Sequence, residues 1–127
     1  MPRTVAPPLA AETIADLDLL FRGFADPTRI RLLNVLVAGE LCVCDLVELL
    51  GLPQSTVSRH LRYLHRAGLV EVNRGWKFAH YRLAEPAIRV HRTLLGCVRT
   101  CFRGITQLDR ERTAAEAKVR ARAADPC

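Results

Sequence analysis

Three features of the sequence predict a mainly α domain with one β-hairpin, an α+β architecture. Apolar residues recur at helical spacing over most of the chain. A tight break at Gly51-Leu52-Pro53 separates two short helical segments, and two β-prone stretches follow, joined by Asn73-Arg74-Gly75. The order helix, turn, helix, hairpin is the pattern of a winged helix-turn-helix. At 127 residues the chain supports one core and no second domain.

Residues 1 to 10 carry three prolines and no apolar period, and read as a flexible arm. From Ala11, the residues Ile14, Leu17, Leu20, Phe21 and Phe24 predict a first helix to about residue 24. Asp26-Pro27 is an N-cap followed by proline at the first helical position. It opens a second helix, 27 to 38, through Ile30, Leu33, Leu36 and Val37, ended by Gly39. A third, from about Cys42 to Leu50, stops at Gly51. The fourth segment, 54 to 67, buries Val57, Leu61 and Leu64. The strands are read as 69 to 72 and 78 to 83. Pro86 is expected to open a last long helix whose stripe is Ile88, Leu94, Leu95, Val98, Phe102, Ile105 and Leu108. Residues 109 to 127 are helix-prone but almost coreless, and are expected to fray. The folded domain is thus 11 to 108.

No run of about 18 apolar residues occurs and the N-terminus lacks the apolar core of a signal peptide, so the expected location is the cytoplasm, with no membrane partner. Net charge is +6, and seventeen of the nineteen basic residues are arginine. Arginine forks match phosphates and guanine edges, which permits nucleic acid as a partner without proving it. Scattered arginines such as Arg120 and Arg122 read as coding bias.

The segment 54 to 67 is the candidate recognition helix. Gln54, Ser55, Thr56, Ser58, Arg59, His60 and Arg62 offer short or forked donors for base edges and phosphates, with no acidic residue among them. An ordinary surface helix would mix in Glu or Asp. Arg74, Lys77 and His80 in the hairpin are candidate phosphate or minor-groove contacts, or merely solvated groups.

With FADPTRIRLLNVL, ELCVCDL, QSTVSRHLRYLHRAGLV and HYRL taken together, the chain resembles the ArsR/SmtB family of metal-responsive bacterial repressors over nearly residues 11 to 108. The resemblance implies a homodimer built from the first and last helices, with two recognition helices in successive major grooves of a near-palindromic operator. Pro53 stands where the family usually has Ser or Thr; proline cannot cap with a side chain but is tolerated in a first helical turn.

Five cysteines in a chain read as cytosolic point to metal or redox chemistry more than to disulfides. Cys42 and Cys44 begin the third helix, where unpaired N–H groups favour thiolate. On a regular helix their side chains diverge by about 200°, so one ion can bind both only if the first turn stays extended. In the arsenic-sensing branch the matching box resembles ELCVCDLC; here Val47 takes the place of the last cysteine. That departure directs attention to Cys97 and Cys101, at chelating i,i+4 spacing, whose neighbours Arg99 and Arg103 should ease thiolate formation. Both could instead be small hydrophobes in a dimer seam. The expected inducer site combines cysteines of the third and last helices, drawn from Cys42, Cys44, Cys97 and Cys101. Cys127 reads as a bystander, and the four histidines assemble no alternative site.

Sulfur ligands select soft ions. Three thiolates suit trivalent arsenic or antimony, the expected inducers; four suit cadmium or zinc. Cadmium and lead remain alternatives because the same box resembles that branch, which typically adds N-terminal cysteines absent from residues 1 to 41. No constellation of acid, base and oxyanion donors supports an enzyme. A thiol-redox repressor and a metal-blind winged-helix protein are the competing readings.

Overall fold

The computed structural model describes residues 3–4, 13–75 and 77–124. Its elements are β1 (Arg3–Thr4), α1 (Ile14–Phe24), α2 (Pro27–Leu36), β2 (Leu41–Cys42), α3 (Val43–Leu50), α4 (Gln54–Arg66), β3 (Val70–Asn73), β4 (His80–Leu83), α5 (Arg89–Thr100) and α6 (Thr106–Ala124). No described helix is long and apolar enough to cross a membrane.

Helix starts follow the local chemistry. Thr13 caps α1 in a capping box: its hydroxyl accepts from the Asp16 amide at 3.2 Å and its own amide donates to the Asp16 carboxylate at 3.1 Å. Asp26 accepts from the amides of Thr28 and Arg29 at 2.9 and 3.2 Å, with Pro27 in the first turn of α2. Gly51 ends α3 in the left-handed region at φ 66°, which turns the chain sharply towards α4. Pro53 stands at the α4 N-cap, at φ −59° and ψ 147°, with no side-chain cap, as a proline there must.

One core unites these pieces: Leu20, Leu32, Leu33, Val35, Leu46, Val57, Leu61, Leu64, Leu69, Val70 and Val72 are all buried. Each such side chain contributes about 1.5–3 kcal/mol on leaving water. Gly23 allows α1 to lie close to Leu69, just before β3, because a Cβ there would stand 2.4 Å from that side chain.

The hairpin belongs to a four-stranded antiparallel sheet of order β1-β3-β4-β2, with Val72 opposite Tyr81 and Cys42 opposite His80. Neither outer strand is legible in the sequence. Arg3–Thr4 fall in the expected arm, Leu41 lies just before the expected third helix, and Cys42 is its expected first residue. The remainder of the expected arm, Trp76 and Cys127 lie outside the described residues.

Two expectations about the C-terminus are corrected. The single last helix over 86 to 108 is two helices, because the chain turns at Gly104, which has φ 95° and donates its amide to Asp109 at 3.0 Å. Arg112 then closes the break by donating to the backbone carbonyls of Val98 and Arg99 at 2.7 and 2.9 Å, and to Asn34 at 2.8 Å. The segment expected to fray from residue 109 is α6, packed on α2 and α3. Its apolar contribution is small: Leu108 and Ala115 are buried, and Val119 sits against Gly39. Polar contacts do the rest. Glu111 receives Arg31 at 2.5 Å, Asn34 donates to the Leu108 carbonyl at 2.9 Å, and Asp45 receives Arg122 at 2.7 Å.

Candidate DNA-reading face and thiol site

α3 and α4 pack together across the Gly51 turn, which turns one face of α4 outward. On that face Gln54, Ser55, Arg59, Arg62 and Arg66 are exposed, while Thr56 and Ser58 are half-buried. A cleft of about 440 Å³ opens beside it, lined by Asp26, Arg29, Arg59, His60, Arg62, Tyr63 and Arg66. Four arginines in one cleft make an anion-attracting surface, and the one acid, Asp26, is engaged in capping α2.

His60, expected to point outward, is corrected by the structure: it is 9% exposed and faces α2. Arg29 donates to its Nδ1 at 3.3 Å, so the ring accepts there and is neutral. Burial lowers its pKa; Asp26 opposes that, and Arg29 and Arg59 add to it. The 3.8 Å approach to Asp26 is therefore not an ion pair. Its contact with Arg29 ties α4 to α2.

Sequence reasoning missed Arg29, Tyr63 and Arg66. The Arg29 guanidinium lies 4.2 Å from the centre of the Tyr63 ring, and Arg66 lies 5.2 Å from it. Arg29 also donates to the Arg22 carbonyl at 2.7 Å, which fixes its head at the cleft. Nothing local signals this, because Arg29 and Tyr63 sit on different helices. In the wing, Arg74 and Lys77 are exposed, whereas His80 is half-buried with Nδ1 2.9 Å from the Phe78 carbonyl, to which it donates.

The thiol pair at the β2–α3 junction meets the geometric condition for sharing an ion. Cys42 is the N-cap of α3, extended at φ −82° and ψ 163°, so the divergence of a regular helix does not apply. The sulfurs of Cys42 and Cys44 and a carboxylate oxygen of Asp45 all lie within 4.8 Å of one another. Two sulfurs at zinc-like bond lengths stand roughly 3.8 Å apart, so little movement is needed. Cys42 and Asp45 are buried and Cys44 is exposed, which gives an ion a way in. The donor set fits a soft ion, with thiolates as its main ligands.

Asp45 was not singled out by the sequence reading. Burial works against its charge, but hydrogen bonds from Arg122 and the Cys42 thiol, with the charges of Arg122 and Lys118, outweigh it and hold the carboxyl below its ordinary range. Its partner Arg122, read from sequence as coding bias, comes from 77 residues away.

Cys97 and Cys101 form a second pair at the end of α5, both exposed and in hydrogen-bonding contact. That contact, then burial and the charge of Cys101, raise the Cys97 pKa, contrary to the expected help from Arg99 and Arg103. Among the described residues the only group of three metal-capable side chains is Cys42, Cys44 and Asp45. The two thiol pairs are not brought together within one chain.

Comparison with known proteins identifies the scaffold. Residues 26–72 match the profile described as "Bacterial regulatory protein, arsR family". Over 82 residues the chain is 32% identical to the cadmium resistance transcriptional regulatory protein CadC homolog of Staphylococcus aureus, covering 64% of this chain and 68% of that protein. It is 44% identical over 66 residues to the arsenical resistance operon repressor of Escherichia coli, covering 51% of this chain and 56% of that protein, so it spans little more than half that relative. The crystal structure of the transcriptional repressor BigR from Xylella fastidiosa superposes with a TM-score of 0.57 at 32% identity, covering 69% of this chain and 87% of that one. The chain belongs to the arsR family of bacterial regulatory proteins, and with its winged helix-turn-helix it is a transcription regulator, not an enzyme.

Proposed function

We propose that the protein is a metal(loid)-responsive repressor that binds operator DNA as a homodimer in the cytoplasm and releases it when the thiolates of Cys42 and Cys44 capture trivalent arsenic or antimony. The observation that carries this reading is the position of Cys42. It is at once the N-cap of α3, the first helix of the DNA-reading pair, and the β2 partner of His80 at the base of the wing. An ion that draws Cys42 and Cys44 together therefore pulls on the wing and the helix-turn-helix in one movement. Such coupling is typically about 1–3 kcal/mol and requires the ion to prefer one arrangement over the other.

DNA is read by Gln54, Ser55, Arg59 and Arg62 on α4, with Thr56 and Ser58 partly exposed behind them and Arg74 and Lys77 reaching from the wing. Support for two copies comes from α1, whose Ile14 and Phe21 are 86% and 51% exposed. A palindrome reader needs a partner, with half-sites about 34–36 Å apart. If Cys97 or Cys101 contributes sulfur to the same ion, it does so from the partner's helix.

Operator binding, followed by fluorescence anisotropy with reductant present, tests the reading. The parent is expected to release DNA with arsenite or antimonite, and Cys42→Ser and Cys44→Ser are expected to hold it. Release by cadmium, lead or zinc alone would reassign the inducer. Release only with oxidant would make the protein a thiol-redox repressor, a reading favoured by the contact between Cys97 and Cys101.

A further inference from the structure

The thiol pair has a carboxylate within reach, yet that carboxylate is already engaged. Asp45 is 1% exposed, and Arg122 grips both its oxygens, Nε to Oδ2 at 3.1 Å and Nη2 to Oδ1 at 2.7 Å. Lys118, one turn earlier on α6, stands 3.9 Å from Oδ1 and 2.5 Å from Glu48. A two-point arginine fork is among the strongest hydrogen-bonding arrangements a carboxylate can enter, and it fixes direction as well as charge. A borderline ion such as zinc, which accepts oxygen beside sulfur, would have to compete with that fork for Asp45 as its third ligand. A thiophilic metalloid has no use for the oxygen.

We propose that Arg122 determines the ion selectivity of the thiol pair: by engaging Asp45 from α6 it withdraws the carboxylate from the coordination sphere and leaves a sulfur-dominated site. The proposal rests on the reading of Cys42 and Cys44 as the ion site. It gives α6 a function beyond packing, since the helix delivers one guanidinium to the β2–α3 junction. Arg122 is a positioning residue that acts through Asp45 and never touches the ion.

The test measures ion affinity directly, by competition with a chromophoric chelator for zinc and by thiol protection for arsenite, on the full chain under reductant. Arg122→Gln is expected to tighten zinc binding by roughly tenfold to a hundredfold, the size of effect that partners of metal ligands exert but with the opposite sign to a partner that supports binding, while arsenite affinity stays essentially unchanged. Adding Asp45→Asn to Arg122→Gln should return zinc affinity to that of the parent. Lys118→Gln, which removes a neighbouring positive charge but leaves the fork, should change zinc affinity far less than Arg122→Gln does. Arg122→Lys keeps the charge and loses the fork, so it should tighten zinc partway and provides the readout if the glutamine variant does not fold. Zinc affinity unchanged in both Arg122 variants, or raised equally by Lys118→Gln, overturns the proposal. Failure of the parent to protect Cys42 and Cys44 with arsenite overturns instead the site reading beneath it.

Discussion

The two thiol pairs differ in where the fold puts them. Cys42 and Cys44 sit where a strand of the wing sheet becomes the first DNA-reading helix, against a buried carboxylate that α6 neutralises. Cys97 and Cys101 lie on the surface at the end of α5, next to the Gly104 turn. Both pairs carry the same chemistry at close range, but only the first is mechanically joined to the elements proposed to touch DNA. Chelating spacing is cheap in a sequence; a position from which a bound ion can move something is not.

The largest test of that contrast is packing. Leu46, one turn along α3 from the first pair, is fully buried, so Leu46→Ala is expected to cost about 2–5 kcal/mol in denaturant unfolding. Phe102, beside the second pair, is only half-buried, and Phe102→Ala should cost clearly less. Equal losses would mean that both pairs are set equally deep in the cooperative core.

Ion response comes next. Cys42→Ser should erase the drop in operator affinity that the ion causes, a factor of roughly 5–150 for coupling of this kind, while the double variant Cys97→Ser with Cys101→Ser still releases DNA. Loss of release in the double variant would join the pairs across the dimer and remove the distinction drawn above.

The output of the first pair is sharpened by comparing neighbours on α4 and on the α2 side of the cleft. Arg59→Ala should weaken specific operator binding by about 1–3 kcal/mol with the fold unchanged. His60→Ala, which removes the brace between α4 and α2, should register in thermal melting. Arg29→Ala should lower the salt dependence of binding by about one phosphate contact. A His60 variant with parental melting and lost specificity would return that residue to the DNA face.

The smallest effect expected is a pH dependence on the α5 side. His91 is 1% exposed, burial lowers its pKa, and neither ring nitrogen has a hydrogen-bond partner among the described residues. The unfolded chain then binds the proton more readily than the folded one. Stability from this group is complete above the ordinary histidine value of about 6.5 and is lost as pH falls below it towards the depressed folded value. His91→Phe should flatten that slope in melts from pH 7.5 to 5. An identical slope in the variant would assign the dependence elsewhere.

Local signals in the sequence sufficed for the helix-turn-helix, the cap at Asp26, the stop at Gly51, the core positions of α4 and the CVC box. Each of these depends on residues within about four positions of one another, the range over which period and capping act. Other features were decided only by tertiary structure. β2 is a two-residue strand that exists because β4 pairs with it. His60 turns inward because Arg29 and Asp26 lie on another helix. α6 carries too few apolar residues to announce a buried face, and its docking depends on ion pairs between residues 77 and 80 positions apart. An arginine that grips a distant aspartate looks in sequence like any other solvated charge, because the partner that gives it meaning arrives only when the chain folds.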